Sequence, residues 1–209
     1  MKFIIGAGGG GRTVLSILER NSKNMENKRD ICFLDDNKVN KIINNYEVMD
    51  SLKNHVFEKN LNDKYIISFG TTCMKIRAEL FIELKSKRIQ FFNAIDKSVI
   101  VDRTAIIGEG CIIAGNSVLN PNSKIGNNCF LCVNTTLDHD AQLGNNVYCS
   151  PGVNIAGAVK IGNNVFLGTN CTILPNINIG DNAIIGAGTV VIRDVKTKQK
   201  VVGNPARLI

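Results

Sequence analysis

A single histidine, His139, stands between two aspartates in the stretch LDHDAQ at residues 137–142. This arrangement is typical of a general base, because a carboxylate bonded to one ring nitrogen fixes the tautomer and raises the basicity of the other nitrogen. Asp140 is the preferred partner of the ring, and Asp138 is the second choice. The sequence therefore predicts a proton acceptor at residue 139.

A glycine-rich turn near the N-terminus, KFIIGAGGGGR, is a second candidate site. Gly6, Gly8 and Gly11 match the pattern G-x-G-x-x-G between a predicted strand and a predicted helix. Such a turn lets backbone amides at a helix N-terminus approach phosphate oxygens. The next predicted strand, ICFL, ends in Asp35 and Asp36, whose carboxylates can accept hydrogen bonds from a ribose or a base edge. Together these features predict a binding site for a mononucleotide.

The elements around this turn predict a small Rossmann-like βαβ domain over residues 1–92. After the first strand, TVLSILER reads as a helix and YIISFG as a further strand, and residues 73–88 form an amphipathic helix. The domain is too short for a full dinucleotide fold, and the rest of the chain is repetitive, so a nicotinamide-dependent enzyme is disfavoured. A tight turn that binds nothing remains an alternative.

Residues 93–209 carry a repeat that predicts a solenoid of parallel strands. The motif I/L-G-N/D-N recurs every 18 residues, beginning at Ile125, Leu143, Ile161 and Ile179. Steps of six from Ile95 to Val191 meet an aliphatic residue at 16 of 17 positions. A fixed short period indicates stacked units, and three six-residue units close a triangular coil with Gly and Asn at its corners. About 5.7 coils at roughly 4.8 Å each make a prism about 27 Å tall.

Stacking at this period puts His139 on the outside of the prism. Leu137 and Ala141 occupy inward positions, so the imidazole should point outward near a corner. The residues stacked in the same column are Gly157, Pro175 and Arg193. We expect a shallow gap at Gly157 and a basic surface towards Arg193. That layout suits an elongated ligand with a reactive end near His139 and anionic groups near the tail, which is the shape of coenzyme A.

Composition limits the other classes of function. The chain has a net charge of +7, and its basic residues are not interleaved with aromatic ones, so no nucleic-acid partner is expected. No apolar run reaches membrane-spanning length, so we expect a cytoplasmic protein without a membrane partner. Most of the seven cysteines should be reduced core residues. Cys129 and Cys132 form a C-x-x-C without a second ligand pair, so no metal is expected.

The whole chain resembles the hexapeptide-repeat acetyltransferases, in particular the bacterial nucleotide-sugar N-acetyltransferases of the PglD/NeuD-like type. The shared features are the GAGGGG turn, FLDD at 33–36, the strand ending at Gly70, the DHD triplet and the closing GNPAR at 203–207. The resemblance implies that the prism is a left-handed parallel β-helix. It also implies that His139 is the general base supported by Asp140, and that active sites lie between the subunits of a homotrimer.

The resemblance further implies the reaction and its binding residues. Acetyl-CoA, the co-substrate, donates its acetyl group directly to the amino group of a nucleotide-linked amino sugar of the UDP-4-amino-sugar type, with no metal. The nucleotide sugar is expected at Gly8, Gly9, Gly10, Gly11, Arg12, Asp35, Asp36 and Gly70. Acetyl-CoA is expected at Tyr148, Gly157, Thr169, Ala187, Arg193 and Arg207.

Three other functions are known for solenoids of this kind or use the same residues. O-acetylation of a sugar such as a sialic acid would use the same machinery, and the sequence does not separate it from N-acetylation. A zinc enzyme like the γ-carbonic anhydrases needs three histidines, whereas the repeat holds only His139. An ice-binding or scaffold solenoid calls for a flat column of threonines. Thr135, Cys171 and Thr189 lie in an inward column that Val153 interrupts. The sequence therefore does not favour an ice-binding or scaffold function.

Overall fold

The computed structural model of the 209-residue chain describes residues 1–22, 30–57, 63–70 and 73–209. These residues form two compact units, Met1–Ala94 and Ile95–Ile209. The first unit is a mixed α/β sheet domain and the second is a parallel β-helix of short strands. The fold class predicted from the sequence is confirmed. Within the described residues, no helix has the length and apolarity needed to cross a membrane.

The first unit is a five-stranded sheet with two helices. In chain order its elements are β1 Lys2–Ile5, α1 Gly9–Asn21, β2 Ile31–Leu34, β3 Ile42–Ile43, β4 Tyr46–Asp50, β5 Lys64–Ile67 and α2 Met74–Ser86. The strand order is β3-β4-β2-β1-β5, with β3 antiparallel to β4 and the other pairs parallel. Strands β2 and β4 lie on one side of β1, and β5 lies on its other side. The strand order therefore reverses between β1 and β5, which is a topological switch point. Ligands of open α/β sheets bind outside the carboxyl ends of the strands at such a point.

The sequence accounts for most of these elements. The last three residues of β1, β2 and β5 are apolar and fully buried, as expected of parallel strands covered on both faces. The β3–β4 hairpin was not predicted. Its two-residue turn consists of Asn44 and Asn45, both with positive φ. Paired left-handed residues of this kind are the local signal of a tight hairpin turn.

The second unit is a triangular prism with three sheets, in which the strand pairs are parallel except for the antiparallel pair β23–β24. The aromatic face contains β6 Ala94–Ile95, β9 Ile112–Ile113, β12 Phe130–Leu131, β15 Tyr148–Cys149, β18 Phe166–Leu167, β21 Ile184–Ile185, β23 Lys200–Val202 and β24 Arg207–Leu208. The threonine face contains β7 Ile100–Val101, β10 Val118–Leu119, β13 Thr136–Leu137, β16 Asn154–Ile155, β19 Thr172–Ile173 and β22 Val190–Val191. The lysine face contains β8 Ile106–Ile107, β11 Lys124–Ile125, β14 Gln142–Leu143, β17 Lys160–Ile161 and β20 Asn178–Ile179.

The period of six sets which side chains enter the prism. The second residue of each central strand packs into one continuous aliphatic core. The first residue lies outside this core, where Ile112 and Phe130 are nevertheless buried. At the end of the stack Val101 departs from this rule and is 41 % exposed, because no earlier coil covers its strand on that side. Many corners use a left-handed asparagine. Their amides form ladders between coils, as Asn128 donates to Asn146 (3.1 Å) and Asn146 donates to Asn164 (2.9 Å).

Candidate active site

His139 lies on the corner that joins the threonine face to the lysine face. Strand β13 ends at Leu137 and β14 begins at Gln142, so the turn between them is four residues long. Leu137 and Ala141 are fully buried on either side of this turn. Because the chain must leave the core between these two anchors, the His139 side chain stands outward and is 61 % exposed.

The imidazole is paired with the carboxylate that follows it. His139 Nδ1 lies 2.9 Å from Asp140 Oδ2. This hydrogen bond, followed by the charge of Asp138, raises the pKa of His139. The pKa of Asp140 is lowered, first by its hydrogen bond to His139 and then by one from Asn122. The pair therefore favours an ionised carboxylate at Nδ1, and Nε2 is the ring nitrogen that can take a proton from a substrate.

Asp138 has a different task from Asp140. Its Oδ1 accepts the backbone N–H of His139 at 2.8 Å and the side-chain amide of Asn120 at 2.9 Å. These two hydrogen bonds lower the pKa of Asp138. Asp138 thus holds the backbone of the corner, whereas Asp140 holds the ring. The structure thus assigns different hydrogen-bond partners to Asp138 and Asp140, whereas the sequence only favoured Asp140 over Asp138 as the partner of the ring.

The next coil fits closely around the ring. A Cβ added to Gly157 would stand 2.6 Å from Nε2 and 2.7 Å from Cε1 of His139, which is closer than real Cβ contacts come. The backbone N–H of Ala158 donates to the carbonyl oxygen of His139 at 2.9 Å and ties the two corners together. The gap predicted beside the imidazole is therefore not free space. The ring itself occupies the room that the missing side chain leaves.

The residues expected to hold acetyl-CoA fall into two groups in a single chain. Gly157 and Arg193 share the corner of His139, and Arg193 is three coils, or about 14 Å, farther along the prism. Thr169 and Ala187 are exposed on another corner, between the aromatic and threonine faces. Tyr148 faces outward on the aromatic face, which does not border the corner of His139. One chain does not bring the two groups together.

The basic end of the first group borders a cavity. Arg193 and Arg207 line a cavity of about 420 Å³ at the C-terminal end of the prism, together with apolar residues and Asp194. Both arginines are exposed. Two guanidinium groups beside such a cavity can hold anionic groups of a ligand through charge-assisted hydrogen bonds. The prediction of a basic surface beyond His139 agrees with this arrangement.

The four glycines of the N-terminal turn differ in their surroundings. A Cβ at Gly11 would overlap the carbonyl oxygen of Gly6, so Gly11 lets α1 pack closely against the end of β1. A Cβ at Gly8 or Gly9 would meet nothing within 4 Å. Helix α1 has no side-chain N-cap and no acidic residue in its first turn. The first N–H groups of the helix therefore have no side-chain cap, and there is open space at Gly8 and Gly9.

The acidic pair predicted to contact a ribose is partly used by the protein itself. Asp35 Oδ2 accepts the backbone N–H of Ala7 at 2.8 Å, and its Oδ1 accepts that of Asn37 at 3.0 Å. The Asp35 carboxylate thus holds the glycine turn in shape. Asp36 is exposed, and its Oδ1 accepts a long contact of 3.4 Å from the backbone N–H of Lys53. Asp36 is the better placed of the two to accept a hydrogen bond from a ligand.

The structure adds two residues to this end of the sheet that the sequence analysis missed. Lys38 Nζ donates to the carbonyl oxygen of Ala7 at 2.7 Å. Ser68 Oγ lies within 2.9 Å of the carbonyl oxygens of Ile5 and Gly6, and so links the ends of β1 and β5. Two other predicted residues, Arg12 and Gly70, are exposed at the same edge. A strand-ending SFG next to a glycine turn is the signal that could have identified Ser68.

The cysteines do not resemble nucleophiles or metal ligands. None of the seven forms a disulfide. Burial raises the pKa of Cys171 to about 12 and that of Cys149 well above its usual value, so both thiols stay protonated. Cys129 of the C-x-x-C pair is buried in the prism. Within the described part of the chain, no group of three or more His, Cys, Asp or Glu residues could hold a metal ion.

Comparisons with known proteins match both units. Residues 3–84 match the PglD N-terminal domain, and residues 158–193 match the bacterial transferase hexapeptide family of six repeats. The acetyltransferase domain of PglB from Neisseria gonorrhoeae superimposes with a TM-score of 0.90 at 25% identity, covering 100% of this chain and 98% of that one. WeeI from Acinetobacter baumannii has a TM-score of 0.82 at 26% identity, covering 100% and 99%.

A third similar structure is a complex with two ligands. PerB from Caulobacter crescentus, in complex with CoA and GDP-perosamine, has a TM-score of 0.89 at 24% identity and covers 100% of this chain and 96% of that one. The PglB domain is also described in complex with acetyl coenzyme A. No sequence among the curated proteins matches the chain. These likenesses extend over both units and over nearly the whole of each similar structure.

Proposed function

We propose that the chain is a hexapeptide-repeat acetyltransferase with a PglD-type N-terminal domain, and that it acetylates the amino group of a nucleotide-linked amino sugar. One observation carries the proposal: an exposed His139–Asp140 pair stands on the outer corner of the prism and lies against Gly157. The ligands in the descriptions of PglB and PerB, acetyl coenzyme A and CoA with GDP-perosamine, support the choice of substrates. We place the reaction in the cytoplasm.

The proposed chemistry is direct transfer. The amine of the sugar attacks the thioester carbonyl of acetyl-CoA, and a carbon–nitrogen bond forms. His139 Nε2 takes the proton that the amine loses, and Asp140 stabilises the resulting imidazolium. The carbon–sulfur bond then breaks, and the imidazolium returns its proton to the leaving thiolate. We assign the oxyanion contact to the backbone N–H of Gly157, the residue against the ring.

The glycine turn is the proposed site for the diphosphate of the nucleotide sugar. The N-terminus of α1 and the open space at Gly8 and Gly9 support this role. Gly10, Arg12 and Gly70 border the same switch point, and Asp36 is the proposed acceptor for the ribose or the base. We propose a UDP-4-amino sugar as the acceptor, with GDP- and dTDP-linked sugars as the competitors that the assay below separates.

A homotrimer would complete the site. The residues expected to bind acetyl-CoA lie on two different corners and one face of each chain. One acetyl-CoA molecule therefore cannot contact all of them within one subunit. We propose that the His139 corner of one subunit faces Tyr148, Thr169 and Ala187 of the next. The aromatic face supports an interface of this kind. Tyr148 and Phe166 are half-buried rings on this face with centroids 5.9 Å apart, and the buried ring of Phe130 supports Tyr148 from the other side at 5.0 Å.

The test is a panel of UDP-, GDP- and dTDP-linked amino sugars incubated with acetyl-CoA, with thiol release as the readout. We expect release that depends on the amino sugar and a product whose acetyl group resists hydroxylamine, as an amide does. A hydroxylamine-labile product would instead indicate sugar O-acetylation. Absence of thiol release with every amino sugar would contradict the proposal. Sedimentation analysis of the same preparation tests the trimer.

A further inference from the structure

One corner column of the prism differs from a simple asparagine ladder. Its residues in successive coils are Asn122, Asp140, Ala158 and Asn176, all in the left-handed region with φ between 57° and 62°. Asn122 Nδ2 donates to Asp140 Oδ1 at 3.2 Å. The other oxygen of the same carboxylate, Oδ2, lies 2.9 Å from His139 Nδ1. The column thus carries a hydrogen-bonded connection from one coil to the imidazole in the next.

We propose that Asn122 is a positioning residue that orients the Asp140 carboxylate towards His139. This inference rests on the proposed function of the pair. The side chain of Asp140 is 53 % exposed, so packing alone does not select its rotamer. An anchored Oδ1 places Oδ2 at the ring nitrogen. Without the anchor, the carboxylate would exchange its hydrogen bond to the ring for hydrogen bonds to water.

The anchor itself is held by the backbone of the prism. The N–H of Asn122 donates to Thr104 Oγ1 of the preceding coil at 2.8 Å. The N–H of Asp140 donates to the carbonyl oxygen of Pro121 at 3.0 Å. Thr104, Asn122 and Asp140 therefore lie in fixed register across three coils. An amide attached to such a rigid corner can define a direction for the carboxylate.

The ladder ends at the carboxylate. In the neighbouring column the side chain of Asn146 accepts from Asn128 and donates to Asn164. The side chain of Asp140 has no N–H to donate, and the next residue in its column is Ala158, which has no polar side chain. The two hydrogen bonds from His139 and Asn122 also favour the ionised form of Asp140, whose pKa is lowered. The column is arranged so that the donors converge on this carboxylate.

The experiment is a titration of the histidine resonances by NMR, without any substrate. The chain has two histidines, so ¹⁵N- and ¹³C-labelled histidine gives two sets of signals. The variants are Asn122→Ala and Asn122→Gly. Alanine is already accepted at the left-handed position 158 of the same column, and glycine adopts that conformation without strain. His55, which belongs to the other unit, is the internal reference.

Asn116→Gly is the matched control. Asn116 has φ of 59°, and its N–H donates to Ser98 Oγ at 3.0 Å, just as that of Asn122 donates to Thr104 Oγ1. Both asparagines are exposed corner residues. Any cost of replacing a left-handed asparagine is therefore common to the two positions. Only position 122 has a side-chain amide that donates to Asp140.

We expect both Asn122 variants to move the midpoint of His139 to lower pH and to reduce the fraction of the Nδ1–H tautomer. His55 and the Asn116→Gly protein should titrate as in the wild type. In the thiol-release assay, kcat should fall by up to about 10²-fold, the loss that misplacing a catalytic group by 1 Å can cause, with little change in KM for acetyl-CoA. A His139 midpoint that is unchanged or higher would overturn the proposal. Because this titration needs no substrate, it decides the matter even if the wild type releases no thiol.

Discussion

The imidazole of His139 lies against Gly157 of the following coil, where a Cβ would stand 2.6 Å from Nε2. Gly157 is therefore required here for the room it leaves, since its φ is not in the left-handed region. This contact limits how far the ring can turn and helps to keep Nδ1 beside Asp140. Two residues thus orient the imidazole of His139: Asp140 through its hydrogen bond to Nδ1, and Gly157 of the next coil through its close contact with the ring.

Gly157→Ala should displace the ring and lower kcat by about 10²-fold, because the imidazole must swing out and leave Asp140. Stability should change little, because the ring is largely exposed and can move. Thiol release and thermal unfolding measure the two effects. In a His139→Ala background the same change should cost no further activity, since the three nearest atoms to the new Cβ all belong to the imidazole. Additive losses would contradict this account.

His139→Ala should reduce the rate of acetyl transfer by about 10²–10⁴-fold, the usual contribution of a general base. The melting temperature at alkaline pH should be unchanged, because the side chain is exposed and Leu137 and Ala141 still anchor the corner. Thiol release under saturating acetyl-CoA and circular dichroism melting are the measurements. Near-normal turnover in this variant would show that another group takes the proton.

The pH dependence should follow the His139–Asp140 pair. Its hydrogen bond to Asp140 raises the pKa of His139, and the base must be neutral to act. The wild-type rate should therefore rise with pH through a midpoint above the ordinary histidine value of about 6.5. Asp140→Asn should lower both the midpoint and the plateau, and asparagine is accepted at this φ in Asn122 and Asn176. If the pH midpoint of the rate is unchanged in Asp140→Asn, Asp140 is not the residue that raises the pKa of His139.

The same pair has a consequence for folding. A histidine whose pKa is raised in the folded state adds stability below its unfolded pKa, and this contribution is lost as the pH rises through the folded pKa. Asp140→Asn should remove that extra stability at mildly acidic pH, where His139 is protonated and Asp140 is ionised, and leave stability at alkaline pH nearly unchanged. Urea unfolding at several pH values checks the sign, and it serves as the control for the activity profile.

Gly11→Ala and Gly9→Ala should separate packing from binding in the glycine turn. A Cβ at Gly11 would overlap the carbonyl oxygen of Gly6, so this variant should lose about 1–3 kcal/mol of stability. A Cβ at Gly9 meets open space, so stability should change by less than about 0.5 kcal/mol. Gly9→Ala should instead weaken binding of the nucleotide sugar, measured by calorimetry. Equal stability losses in both variants would contradict the prediction.

Ala158→Asn should trade activity for stability. Alanine in the left-handed region costs about 1–2 kcal/mol, and asparagine relieves part of that cost. An amide at residue 158 would stack on Asp140 and compete with His139 for the carboxylate. We expect a higher melting temperature and a lower kcat. Ala158→Gly relieves the backbone without adding an amide, so it should retain the wild-type kcat. A fully active Ala158→Asn protein would show that the lack of a polar side chain at residue 158, next to Asp140 in the column, has no role in activity.

The sequence determined the coil and the position of the histidine on it. A period of six residues dictates which side chains enter the core, because each strand alternates inward and outward and each corner follows at a constant distance. His139 therefore had to be exposed, with Gly157 and Arg193 in its column. The same local reasoning identified β1, α1, β2, β5 and α2. It missed the β3–β4 hairpin, whose turn signal is only the pair Asn44–Asn45.

Only the tertiary structure decided how the polar groups are shared. The pattern could not tell which aspartate bonds the ring, since both are next to His139 in sequence and the choice depends on rotamers at a left-handed corner. It could not show that the ring fills the space at Gly157, or that Asn122 reaches Asp140, because those contacts join atoms in different coils. Likewise, Asp35 holds the glycine turn only once β1 and β2 are paired. Periodicity sets which way a side chain faces, whereas hydrogen-bond partners depend on distances that exist only in the folded chain.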